Sequence, residues 1–382
     1  MNRITIPLAV GIAAALPLLA GEVRLERVPE QGLQPAAVTD ARGRVHLIYL
    51  AGDPKSADIH YTTRSQPTLP WSKPIVVNSQ PGSAIAIGTV RGPRLALGEN
   101  GRALVVWNGS SMAEAKADES APLLFSRLSD DGASFETQRN LLGGTTRHLD
   151  GGAAVASNQK GLVWAVWHGA PKTPPPEGDS ETARGVYLAA SSDDGKTFSE
   201  PRRIDTPHLG VCACCGLEAG FHGPQHASIL YRSAENGNER GMVWLRSHDD
   251  GRSFSSQRLD RWNLSECPMT TTRFVPGAPF AVWSRQGTIQ LGHLGENPSP
   301  RVTAVSGLGQ RANHPVAVQS TDGQMLVVWT EGTGWQRGGT LAWKVTKAGS
   351  AAEGRIKHVP GVPIWGLPAA AQESDGGFTI WY

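Results

Sequence analysis

Apolar runs ending in an aromatic residue recur along this 382-residue chain. They read LIY, VVW, AVW, ILY, AVW, VVW and TIW, and they end at Tyr49, Trp107, Trp167, Tyr231, Trp283, Trp329 and Trp381. Successive gaps are 58, 60, 64, 52, 46 and 52 residues. Turn dipeptides precede most runs: Asn100-Gly101, Lys160-Gly161, Pro276-Gly277, Asp322-Gly323 and Gly376-Gly377. Short strands and glycine turns at a period of about 40–60 residues predict the blades of a β-propeller. Each repeat has two halves, a hairpin carrying the aromatic and a second pair of strands. Seven first halves are visible but only six second halves, and the last first half ends the chain. The early strand at residues 23–28 is the piece expected to complete it. A blade shared by both termini closes the ring and removes free sheet edges. Seven blades are therefore expected, with six as the alternative in which the terminal pieces pack as additions.

Composition supports one all-β domain over residues 22–382. Gly (45) and Pro (27) are abundant, and almost no stretch carries a helical apolar period. A formal charge of +2 gives no attraction for nucleic acid or an anionic membrane. Arg3 precedes an apolar run over residues 4–20 ending in small residues, which predicts a signal peptide over residues 1–21. An uncleaved anchor is the alternative, and no later segment is long enough to span a bilayer. The protein is expected in the periplasm or secreted, where cysteines can pair.

Three second halves share a sharper turn. Ser191-x-Asp193-x-Gly195-x-Thr197-Phe198 and Ser247-x-Asp249-x-Gly251-x-Ser253-Phe254 match one pattern in full. Asp130-x-Gly132-x-Ser134-Phe135 lacks only the first Ser, where Leu128 stands. In such a turn, Asp and Ser bond nearby backbone, Gly takes positive φ, and the aromatic plugs the blade. The role of these residues is structural. The pattern resembles the Asp boxes, or BNR repeats, of the sialidase-like family, and the resemblance spans roughly residues 30–382. It implies a propeller with an axial pocket for a glycan or another polar, anionic ligand. Active members hold the substrate carboxylate with three arginines and use a Tyr nucleophile assisted by Glu, with an Asp acid/base. The family's Phe/Tyr-Arg-Ile-Pro motif is absent here, and Gly92-Pro93-Arg94 is only a loose echo of it. An exo-sialidase-like glycoside hydrolase remains open on the resemblance alone.

Propeller connectivity sorts residues by face. Inter-blade loops and the positions after each aromatic converge near the axis, away from the Asp boxes. That face is expected to receive Arg91, Arg94, His148, Asp150, His222, Cys267, Asn313 and His314, together with Asn108, His168, Arg232, Arg285 and Glu331. Arg94, His148, His168, Arg232, Arg285 and His314 are candidate ligand-binding residues. Trp335, in the Gly-rich loop Glu331 to Gly339, is a candidate stacking platform for a sugar ring. That loop lacks the Lys of a phosphate-binding loop. Asp150 and Glu331 are the candidate carboxylates should the site hydrolyse glycosides. Segments 108–122 and 168–185 are long enough to act as lids.

All four cysteines fall in two consecutive inter-blade loops, at Cys212, Cys214 and Cys215 and at Cys267. Three readings stand open. Disulfides could staple two blades, although a bridge between adjacent Cys214 and Cys215 would be strained. The thiolates with His222, Met269 and His208 suit copper(I) or zinc, without the two C-x-x-C pairs of a zinc finger. A redox-active thiol is the third. A metal-handling or thiol protein is thus the alternative to a glycan-directed one, and a propeller serving as an interaction platform is a third.

Overall fold

The computed structural model describes residues 22–382 apart from 89, 114–120, 145, 174–180, 182, 224–225, 265–268, 296–299, 308–310, 349, 351–353 and the His148 side chain. The expected signal peptide, Cys267 and the middle of both lid segments thus lie outside the described residues. The described chain is all strand and turn, with two three-residue 3-10 turns as its helical pieces. No helix among these residues is long and apolar enough to cross a membrane.

Seven sheets stand around a common axis. Their first strands are Leu33–Thr39, Arg94–Leu97, Thr146–Ser157, Glu218–Phe221, Thr272–Phe274, Ala312–Gln319 and Ala369–Gln372. Each packs against the next, and the last packs against the first, so the ring is closed. Blades 1 to 6 are four-stranded antiparallel sheets in chain order, blade 4 with a small two-stranded side sheet beside it. Blade 7 has two strands from the C-terminus and a third, Val23–Glu26, from the N-terminus. The expected shared blade is therefore present. Its joining strand runs parallel to Phe378–Trp381, with Val23 beside Phe378 and Glu26 beside Trp381.

The recurring aromatics explain why the blades form where they do. All seven lie in the second strand of their blade and are at most 1% exposed, which makes them the packing between sheets. Burying such a ring contributes roughly 2–3 kcal/mol. In the two full Asp boxes the bonding is as the residue types require. Asp193 accepts from Thr197 N at 2.9 Å and from Thr197 Oγ1 at 2.6 Å, while Ser191 Oγ accepts from Gly195 N at 2.9 Å. Asp249, Ser253, Ser247 and Gly251 repeat this. Phe198 packs edge-on against Phe125 and Phe254 tilts against Trp164, so each box fastens its blade to the preceding one.

The third box is shifted by one residue. Asp131, not Asp130, accepts from Ser129 Oγ and from Ala133 N in the turn containing Gly132. Asp130 instead pairs with Arg102 at 2.7 Å and Arg127 at 3.1 Å. The register moves because Ser129, rather than Leu128, supplies the hydroxyl that the turn needs.

Candidate functional site

Two clusters meet on the face where the first strands begin, opposite the Asp boxes. The cysteine loop enters blade 4 on this face. Its backbone is pinned by Cys212 N to Arg232 O at 2.8 Å and by Gly216 N to Thr270 O at 2.8 Å. Gly151, in the first strand of blade 3, lies so close that a Cβ there would sit 2.2 Å from Cys215 O and 2.7 Å from Ala213 O. Any side chain at 151 would push the loop away.

The loop folds its sulfurs together. Cys212 Sγ lies 3.5 Å from both Cys214 Sγ and Cys215 Sγ, and the three lie within 4.8 Å of one another. Cys212 and Cys215 are free thiols and fully buried, whereas Cys214 is engaged in a further interaction. Burial alone would push the Cys215 thiol up. A hydrogen bond donated by Cys212, the charge of Arg232 and a bond from the Thr270 N–H outweigh burial and bring it to about 6. Cys212 moves the opposite way, well above the usual thiol range, because it gives its proton to that bond and is itself buried. One thiolate and one thiol therefore share a site beside a guanidinium. Arg232 is 1% exposed, donates to Ser284 O at 2.6 Å and stands over the Trp262 ring.

Nearer the axis, the first strands bring together Arg94, Glu218 and His314. Arg94 Nη2 passes 3.5 Å from the Cβ position of Gly216, which joins this cluster to the cysteine loop. Glu218 pairs with Arg273 at 3.2 Å. Burial pushes its carboxyl up to about 7 against the pull of Arg94. Burial, reinforced by Arg94, holds the His314 imidazole down to about 3, so it is neutral. Thr270 links both clusters, because its hydroxyl accepts from His314 N at 3.2 Å.

The His314 shift has a stability consequence. A pKa lowered in the folded state contributes stability above the unfolded value near 6.5 and loses it as pH falls toward 3. His314 has φ +51°, which Asn tolerates. His314→Asn is expected to flatten the loss of urea stability between about pH 6.5 and pH 4, a difference of about 2–3 kcal/mol. An unchanged pH profile would show that this histidine titrates normally.

Of the residues expected on this face, Arg94, Arg232, His314, Cys212, Cys214 and Cys215 are gathered into one continuous site. His168 adjoins it, with Nδ1 2.9 Å from the Gly151 Cβ position. Met269 directly precedes Thr270. The His148 side chain lies outside the described residues. The others lie outside that cluster. Asp150 is exposed and ion-paired with Arg91 at 2.7 Å. Glu331 accepts from Trp329 Nε1 at 2.9 Å and lies 3.4 Å from His358 of the outermost strand of its blade. These two carboxylates are thus held by different partners in different blades. Arg285 donates to Arg261 O at 3.2 Å. Trp335 is 54% exposed in the loop between the second and third strands of blade 6.

His222 is a correction. It follows the first strand of blade 4 and closes the hairpin whose other end is His226, through His222 N to His226 O at 2.7 Å. It therefore stands on the Asp-box face, at the far end of the strand from the thiols. Glu218, Arg273 and Thr270 were missed by the sequence reading. The free pair Cys212 and Cys215 has the C-x-x-C spacing that such a reading can find.

No family model and no curated protein matches this chain. Solved structures similar to it include a lectin from Aleuria aurantia in complex with a fucosyl-GlcNAc disaccharide, at 12% identity over 88% of this chain and 97% of that one, TM-score 0.50. A fungal alcohol oxidase in complex with copper is similar at 13% identity over 94% and 71% of the two chains, TM-score 0.51. The NanB sialidase of Streptococcus pneumoniae shares 11% identity over 79% of this chain and 66% of that chain, TM-score 0.48. The likeness is one of fold, that of a β-propeller.

Proposed function

We propose that this chain is an exported sialidase-like propeller whose axial centre holds a soft metal ion, copper(I), on Cys212 and Cys215. The observation that carries the reading is the buried C-x-x-C pair with one thiol brought to about 6 beside Arg232. Copper(I) favours two thiolates in an apolar surrounding, and the positive charge of Arg232 offsets the surplus negative charge of a bis-thiolate complex. The test is a copper(I) competition titration against a chromophoric chelator under anaerobic conditions. One tight equivalent in the wild type and none in Cys212→Ser/Cys215→Ser supports the reading. Equal binding by both proteins overturns it.

A glycan reading draws on a different observation, the exposed Trp335 on the same face. An indole offered to solvent between polar neighbours is a platform for a sugar ring. Trp335→Ala is expected to abolish retention on a panel of fucosylated and sialylated glycans while leaving copper binding intact. Unchanged retention would remove the role of Trp335, and no retention by the wild type would remove the glycan reading.

A further inference from the structure

On the opposite face, blades 4 and 5 enclose a cavity of about 230 Å³ lined by His222, His226, His248, Trp244, Phe274 and Phe280, among others. Neither the thiol site nor the Asp-box geometry uses these histidines. His226 ends the first hairpin of blade 4, and His248 follows Ser247 in the Asp box of the same blade. Ala227 and Ser247 are directly paired, so the two imidazoles are set side by side by strand register. The Asp-box bonds of Ser247 and Asp249 fix one turn, and the His222–His226 backbone bond fixes the other.

The two Nδ1 atoms lie 3.1 Å apart with the rings nearly perpendicular, at 86°. Adjacent nitrogen ligands, each about 2.0–2.1 Å from one late first-row ion, stand roughly 3 Å apart. His222 lies in the same cavity, its ring edge-on to Phe274. Trp244, Phe280 and Leu294 give the cavity apolar walls that lower the local dielectric. Arg246, the cation nearest at hand, is drawn over the Trp244 ring at 4.5 Å.

We propose that this cavity is a second metal site, in which His226 and His248 bind a divalent late first-row ion such as copper(II) or zinc, with solvent completing its coordination. The donors are imidazoles, in contrast to the thiolates of the axial site, so the two faces would prefer different ions. The inference does not depend on the copper(I) reading.

The probe is copper(II), added to Cys212→Ser/Cys215→Ser protein so that no thiol of that pair reduces it. The expected result is one equivalent whose electron paramagnetic resonance spectrum carries coupling to two nitrogens. His248→Ala should weaken it at least tenfold with an unchanged circular dichroism spectrum. Failure to bind, or binding indifferent to His248→Ala, overturns the proposal. Should the serine variant not fold, zinc titration of wild type against His248→Ala decides the matter. Loss of one equivalent supports the site, and equal stoichiometry and affinity overturn it.

Discussion

Arg64→Ala is expected to cost about 3–5 kcal/mol of unfolding free energy. Arg64 ends the third strand of blade 1, and its guanidinium is 4% exposed. It reaches Glu26 of the N-terminal strand at 3.0 Å and Glu373 of the C-terminal hairpin at 2.5 Å. Glu373 is fully buried and also accepts from Thr379 at 2.8 Å, while Glu26 accepts from Trp381 Nε1 at 3.0 Å. The guanidinium also covers the Trp71 ring at 4.4 Å. One cation thus ties blade 1 to both chain ends where the ring closes. Its removal leaves Glu373 buried without its counter-charge, and that orphaned carboxylate is the main cost. Urea unfolding followed by tryptophan fluorescence reads the loss. Hydrogen exchange should quicken in residues 23–26 and 369–381 before the rest. Arg24→Ala, which removes an exposed pair with Asp375, should by contrast cost less than about 1 kcal/mol. If Arg64→Ala were equally mild, the ring would be closed by apolar packing alone.

Cys215→Ser is expected to weaken copper(I) binding by at least about a thousandfold, since a serine hydroxyl is neither soft nor ionised near neutrality. Cys212→Ser should weaken it similarly, although the two residues differ in the apoprotein. Cys215 carries the negative charge and Cys212 the shared proton, and binding a metal displaces that proton. Affinity should therefore rise with pH across the neutral range. Cys214→Ser should leave the equivalent in place and test the role of its neighbour. Retained affinity in Cys215→Ser would move the metal off the axial loop.

The scaffold was legible because its signal is local. Tyr49, Trp107 and their five counterparts each sit in a strand whose neighbours alternate toward the same packed interface, so the beat survives without knowledge of distant contacts. The closing role of residues 23–28 followed from counting half-blades, but the parallel pairing was not encoded in any local pattern. The site was less legible. Glu218 is one acidic residue in a short apolar strand, and only the ring brings Arg94, Arg273 and His314 around it. His222 looked like a partner of the thiols because it is ten residues from Cys212, yet a four-residue strand carries it across the blade to the other face. Asp130 and Asp131 are adjacent, and the choice between them rests on which hydroxyl the turn can reach.

The most direct measurement is the ultraviolet absorbance of thiolate against pH in the apoprotein, compared with Arg232→Leu. One thiol should ionise near pH 6 in the wild type, vanish in Cys215→Ser and shift upward in Arg232→Leu. Two thiols titrating together at the ordinary value, indifferent to Arg232, would contradict an activated thiolate at the axis and the copper(I) site built on it.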